Sequence, residues 1–266
     1  MDDNLIYAIV LTLFAGLATG IGSLIALVAK STNRKFLSFS LGLSAGVMIY
    51  VSFMEILLTS HKILGESFSG KKGELMATFF FFVGIAISAI IDKMVPQSEN
   101  PHEFHSHSLE DAKKHPASPK LMRMGIMTAL AIGIHNFPEG IATFMAAYQD
   151  PKLGMGIAIA IAIHNIPEGI AVSVPIYQAT GDKMKAFRLS FLSGLAEPVG
   201  AITAYLILMP FLSMELLGVM FAIVAGIMIY ISLDELLPAA REWGEHHISI
   251  LGLVVGMAIM AISLIL

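Results

Sequence analysis

Two six-residue stretches carry the chemistry of this chain: His135-Asn136-Phe137-Pro138-Glu139-Gly140 and His164-Asn165-Ile166-Pro167-Glu168-Gly169. Each sets an imidazole, an amide and a carboxylate inside a long apolar run. A helix turns by about 100° per residue. His135 and Glu139 therefore lie one turn apart on one face, and Asn136 lies beside Glu139. His164, Asn165 and Glu168 repeat the pattern. Facing each other, the two copies would offer two imidazoles, two amide oxygens and two carboxylates to one volume. A carboxylate can bridge two cations, so a binuclear site follows, with one cation near the histidines and one near the asparagines. Imidazole with carboxylate suits Zn²⁺, Fe²⁺, Co²⁺ or Mn²⁺, and the asparagine half suits harder ions.

A lone buried histidine is more often a satisfied core residue, but a doubled motif in apolar surroundings is not. At the bilayer centre each charged side chain costs on the order of 3 kcal/mol by insertion scales. Glu197, followed by Pro198, adds a third carboxylate to Glu139 and Glu168, and cations would offset the repulsion among them. Glu55 and Glu235 lie nearer the ends of their spans and are candidate pathway groups. Met48, two turns before Glu55, could offer a thioether to the same pathway, although packing is the commoner role of a buried methionine. Pro138 and Pro167 each remove a helix hydrogen bond and free the carbonyls of Ile134 and Ile163. Gly140 and Gly169 are expected to loosen the same turn.

The elements that must position these residues are membrane helices. The 266 residues are 56% hydrophobic and 14% charged, with a mean hydropathy of +0.78. Apolar runs of about 20 residues are long enough to cross a bilayer core. Eight spans are expected, over 5–29, 36–60, 75–92, 121–147, 153–177, 187–210, 214–237 and 246–266. They form one all-α, polytopic domain over 1–266. The acidic N-terminus reads as the start of a retained span, not a cleaved signal. Cysteine is absent, which rules out disulfides and thiolate sites. There is no basic patch for nucleic acid, and the partners expected are metal ions and lipid. A homodimer is a candidate assembly.

Basic residues set the orientation. With both termini outside, twelve fall inside: Lys30, Arg34, Lys35, Lys93, Lys113, Lys114, Lys120, Arg123, Lys183, Lys185, Arg188 and Arg241. Only Lys62, Lys71, Lys72 and Lys152 are left outside. The polar stretch 93–120 is then a cytoplasmic loop whose composition reads as disordered. Its His102, His105 and His107 are candidates for transient metal capture.

An internal repeat is also visible. Residues 45–57 match 225–237 at eight of thirteen positions. They lie in spans two and seven, which cross the membrane in opposite directions. Spans four and five are antiparallel as well. The expectation is an inverted repeat, spans 1–4 against 5–8 in mirrored order, with the twin motifs at the centre, as in secondary transporters. Gly16 with Gly20, and Gly252 with Gly256, have the spacing of close helix packing.

The paired motifs, the Glu-Pro of span six, the eight spans and the histidine-bearing loop resemble the ZIP family of divalent-metal transporters, and within it the bacterial zinc uptake proteins. The resemblance covers essentially the whole chain. It implies a first metal site from His135, Glu139, His164 and Glu168, and a second from Asn136, Glu139, Asn165, Glu168 and Glu197. It implies import of zinc, with iron, manganese, cobalt and cadmium as further substrates, across a bacterial cytoplasmic membrane. It also implies an elevator-like or rocking movement of spans 1, 4, 5 and 6 against the others. No catalytic cofactor and no enzymatic activity are expected. The rival reading is an intramembrane zinc-dependent hydrolase. Against it, His-Asn-x-Pro-Glu is not His-Glu-x-x-His, and a symmetric doubled site leaves no asymmetric cleft. No P-loop is present, so the chain carries no ATPase of its own.

Overall fold

The computed structural model describes residues 3–28, 34–94, 119–211, 213–243 and 246–265. Among them the chain forms eight helical rods and no strand. α1 is Asp3–Val28, α3 is Lys71–Met94, α4 is Pro119–Gln149, α5 is Pro151–Thr180 and α8 is His246–Ser263. α2 covers 34–67, with a π-helical turn at Ser52–Ile56 between two α-helical stretches. α6 covers 183–211, jogs at Leu195 and ends in a π turn at Ala204–Leu208 and a 3₁₀ turn at Met209–Phe211. α7 covers 214–243 and has its own π turn at Ser232–Leu236.

Seven of these helices are long and apolar enough to cross a membrane. The eighth, α4, is 31 residues long, and its central His135, Asn136 and Glu139 lower its hydropathy. α2 runs past the expected end at 60 because Ile63 and Leu64, beyond the polar Thr59 to Lys62, are buried again. Large apolar side chains point outward along the rods, among them Phe14, Phe79, Phe82, Leu206 and Val254. Such faces suit lipid.

The rods form two groups. α1, α4, α5 and α6 pack on one another, and so do α2, α3, α7 and α8. The groups meet mainly where α2 lies on α5 and α7 lies on α4. Close approach within each group depends on glycine, since a small residue lets two backbones touch. A Cβ on Gly42 or Gly46 of α2 would strike the backbone of α8, and one on Gly252 or Gly256 of α8 would strike α2. Gly84 of α3 and Gly226 of α7 interlock in the same way.

These contacts overturn the mirrored order of the repeat and replace it with a co-linear one, in which α1-α2-α3 correspond to α6-α7-α8 about the α4–α5 pair. Gly84 meets the Ile223 carbonyl, and its counterpart Gly256 meets the Leu43 carbonyl. Gly226 meets Phe81 as Gly46 meets Leu253. Ser38 donates to the Ala240 carbonyl at 2.6 Å, and Ser60 to the Gly218 carbonyl at 2.7 Å. Residues 38 and 60 correspond to 218 and 240, so the two bonds fall at equivalent positions with donor and acceptor exchanged, and α2 and α7 are antiparallel. The matched π turns fall at corresponding positions, one carrying Glu55 and the other Glu235. A mirrored order would pair α1 with α8 and place like contacts between them, yet α1 packs on α4, α5 and α6 while α8 packs on α2.

Candidate metal centre

α4 and α5 are joined by Asp150 alone. Its carboxylate caps α5 by accepting from the Lys152 and Leu153 amides, at 2.9 and 3.2 Å, and Pro151 opens the helix. The tight turn forces the two helices antiparallel. His135 and His164 lie 15 and 14 residues from it. At about 1.5 Å of rise per residue, both motifs sit roughly 22 Å from the turn, at one depth. The 29-residue spacing thus places the copies face to face.

Both helices continue through their prolines, so each loses one hydrogen bond and the backbone does not break. Gly140 and Gly169 do not loosen the turn as expected; they permit contact. A Cβ on Gly140 would overlap the Glu197 backbone of α6, and one on Gly169 would overlap Thr19 of α1. Gly200 and Gly22 return the contact, against Phe137 and Ile166. The two glycines therefore bring α6 and α1 onto the motif.

The acidic and imidazole groups meet in crossed pairs. His135 Nε2 lies 3.1 Å from Glu168 Oε1, and His164 Nε2 lies 3.4 Å from Glu139 Oε2. Each histidine therefore pairs with the carboxylate of the opposite helix, not with the one a turn along its own. The Asn165 amide donates to the Ala15 carbonyl at 3.0 Å and also to Glu197. The Asn136 amide donates to the Ser193 carbonyl at 3.5 Å. Both NH₂ groups are thus held on backbone carbonyls of α1 and α6, which leaves each amide oxygen free for another partner. All seven motif residues, with Glu197 included, are buried.

No three of the His, Asp and Glu side chains among the described residues close on a common point. Instead, acceptors are left over. Asn136 Oδ1, Glu139 Oε1, His164 Nδ1, Asn165 Oδ1, Glu168 Oε2 and Glu197 Oε2 are buried without a hydrogen-bond partner among the described residues. A buried polar group left unmet costs about 1–3 kcal/mol. Five of these six atoms are oxygens of carboxylates and primary amides, the donor set that a divalent cation takes. The residues fit the group that the sequence implies.

The structure brings together His135, Asn136, Glu139, His164, Asn165, Glu168 and Glu197. Met48 and Glu55 lie instead on α2, which reaches the centre through Ser44, whose hydroxyl donates to the His164 carbonyl at 3.3 Å. Met48, one turn on, is fully buried, and Glu55 in its π turn is half-buried. Between them Ser52 has a buried hydroxyl with no partner among the described residues. Glu235 lies in the corresponding π turn of α7, outside the residues whose side chains are described. His102, His105 and His107 lie outside the described residues altogether. Sequence reasoning missed Thr19, which is fully buried on α1 against Gly169 of α5 and Gly194 of α6. A signal existed: Gly16-Leu17-Ala18-Thr19 aligns with Gly194-Leu195-Ala196-Glu197.

Comparison with known proteins identifies the family. A family model described as ZIP Zinc transporter matches residues 92–264. The chain is 59% identical over 266 residues to the protein named zinc transporter ZupT of Streptococcus mutans, covering 100% of this chain and 99% of that one. It is 60% identical over 267 residues to the ZupT protein of Lysinibacillus sphaericus, at 100% and 99% coverage. The ZupT protein of Chlorobium chlorochromatii is 57% identical over 267 residues, again at 100% and 99%. With a doubled His-Asn-x-Pro-Glu-Gly centre in a multi-span helical fold and full-length likeness to such relatives, the chain belongs to the ZIP family of zinc transporters.

Proposed function

We propose that the chain carries Zn²⁺ across a bacterial cytoplasmic membrane into the cell, with Fe²⁺, Mn²⁺, Co²⁺ and Cd²⁺ as further substrates of the same centre. The observation that carries the reading is the set of buried carboxylate and amide oxygens left without donors between α4, α5 and α6. Zinc, borderline-soft, takes the imidazole-bearing half: His135, His164, Glu139 and Glu168. The oxygen half takes a second cation from Asn136, Asn165 and Glu197, with Glu139 and Glu168 as bridges. In the crossed pairs each histidine shares a carboxylate oxygen through Nε2. An arriving cation replaces that proton-mediated contact with direct bonds, and the paired geometry keeps the carboxylates together until it does.

Several features support a path. Ser44, Met48, Ser52 and Glu55 lie on one face of α2, from the His164 backbone to a half-exposed carboxylate. With both termini outside, as the basic residues favour, Glu55 lies on the outer side and Glu235, its counterpart, on the inner side. The same orientation puts His102, His105 and His107 in the cytoplasm, where they receive released metal. The α2–α5 and α7–α4 seams join the two four-helix groups, and a movement of α1, α4, α5 and α6 against α2, α3, α7 and α8 would expose the centre to either side in turn. The unit is a single domain, alone or as a homodimer. It transports and does not catalyse a reaction. Uptake of labelled Zn²⁺ into proteoliposomes tests the reading: the parent accumulates metal, and Glu139→Ala and His164→Ala do not. Parental uptake by both variants would overturn it.

A further inference from the structure

Thr19 stands where the repeat places a carboxylate. A Cβ on Gly16 would strike the Gly194 carbonyl, and a Cβ on Gly194 would strike the Gly16 carbonyl. This reciprocal contact marks the pseudo-two-fold axis that exchanges α1 with α6 and α4 with α5. The same axis relates Asn136 to Asn165 and Glu139 to Glu168. The Asn165–Ala15 bond on one side corresponds to the Asn136–Ser193 bond on the other. The Gly169–Thr19 contact corresponds to Gly140–Glu197. A cation held between the equivalent amides and carboxylates lies on the axis and faces α1 and α6 alike. On α6 it meets Glu197, and on α1 the residue in that place is Thr19.

The Thr19 hydroxyl, like that of Thr143, is buried without a hydrogen-bond partner among the described residues. A helical threonine ordinarily donates to the carbonyl four residues back. Thr12 does so to Ala8 at 2.9 Å, and Thr180 to Ile176 at 2.7 Å. For Thr19 that carbonyl belongs to Ala15, which instead accepts from Asn165. Thr19 is 0% exposed, and its Oγ1 has no hydrogen-bond partner among the described residues. It is pressed toward α6, 2.9 Å from where a Cβ on Gly194 would stand.

We propose that Thr19 Oγ1 is an oxygen ligand of the cation held by Asn136, Asn165 and Glu197. The proposal rests on the metal-binding reading of the centre given above. It makes the two sides of the second position unequal, with a carboxylate from α6 and a neutral oxygen from α1. One negative charge fewer than full symmetry would supply lets that cation leave more readily than carboxylates from both helices would allow.

Equilibrium dialysis of the purified full chain with zinc tests this. The parent binds two ions with two affinities. Glu197→Gln identifies the oxygen position by weakening one of them. Thr19→Val keeps the shape and removes the hydroxyl, and it weakens that same affinity by roughly tenfold, the low end for loss of a group supporting a metal site. The histidine-bearing affinity stays at its parental value, and Thr19→Ser restores both. If the melting temperature shows that Thr19→Val is misfolded, Thr19→Ala makes the same comparison. Parental binding by the hydroxyl-free variant, an equal loss at both positions, or a Thr19→Ser variant as weak as Thr19→Val overturns the proposal. A parent that binds no zinc, or a His164→Ala variant that binds it as the parent does, overturns the centre itself and Thr19 with it.

Discussion

Gly140→Ala tests whether the distance between α4 and α6 governs the centre. A methyl group at this position would stand 2.1 Å from the carbonyl oxygen of Glu197 and 2.6 Å from its carbonyl carbon and Cα, against 3.4 Å for ordinary van der Waals contact. These are backbone atoms and no rotamer change removes the clash, so α6 must retreat by about 1.3 Å at Glu197, the difference between 3.4 Å and the 2.1 Å contact. Metal–ligand distances tolerate about 0.2 Å, so the carboxylate leaves coordinating range of a cation held by Asn136 and Asn165. Overpacking of this kind also costs about 1–3 kcal/mol. The control is Gly156→Ala on α5, where an added Cβ meets nothing within 4 Å and a helix gains up to about 1 kcal/mol from the change. Thermal unfolding in detergent and zinc uptake in proteoliposomes, measured on both variants, give the comparison. Gly140→Ala is expected to melt lower than the parent and to lose at least tenfold in uptake, while Gly156→Ala melts at or above the parent and transports normally. Parental stability and uptake in Gly140→Ala would refute the claim that this contact sets the position of Glu197.

Three further outcomes follow from the same geometry. Asn165→Asp replaces a donor to the Ala15 carbonyl and Glu197 with an acceptor; it should destabilise the metal-free protein by about 1–3 kcal/mol, and added Zn²⁺ should narrow that gap in a thermal melt. Zinc itself should stabilise the parent by about 2.7 kcal/mol at a hundredfold excess over its dissociation constant, a shift that His164→Ala should largely abolish. Ser44→Ala removes the hydrogen bond from α2 to the His164 carbonyl, which should cost about 0.5–1.5 kcal/mol and speed hydrogen exchange along the α2–α5 seam.

The two motifs were legible because polar groups in an apolar run stand out and because their spacing is tied to a turn midway, at Asp150. The helical class and the approximate spans followed from composition for the same reason. The order of the repeat did not. The strong match of 45–57 with 225–237 pairs α2 with α7, and the motifs pair α4 with α5, in either a mirrored or a co-linear scheme. The deciding matches are the weak ones, Gly16-Leu17-Ala18 with Gly194-Leu195-Ala196 and Val83-Gly84 with Val255-Gly256, and both gain meaning only from the contacts their glycines make. The roles of Gly140 and Gly169 were misread because a glycine's Cβ position says nothing until its neighbour is known. The orientation of Asn136 and Asn165 rests on the backbone carbonyls of Ser193 and Ala15, which no residue type announces. The crossed His–Glu pairing was likewise hidden, since within one helix the four-residue spacing favours His135 with Glu139. The π turns at Ser52–Ile56 and Ser232–Leu236 have no composition of their own, although such turns often mark functional places in helices.

The most direct test of the central claim is anomalous diffraction from crystals of the zinc-loaded protein, recorded at the zinc edge. Two peaks are expected between α4, α5 and α6: one among His135, Glu139, His164 and Glu168, the other among Asn136, Asn165 and Glu197. Zinc found only elsewhere in the membrane region, or no zinc peak between the two motifs, would contradict the account.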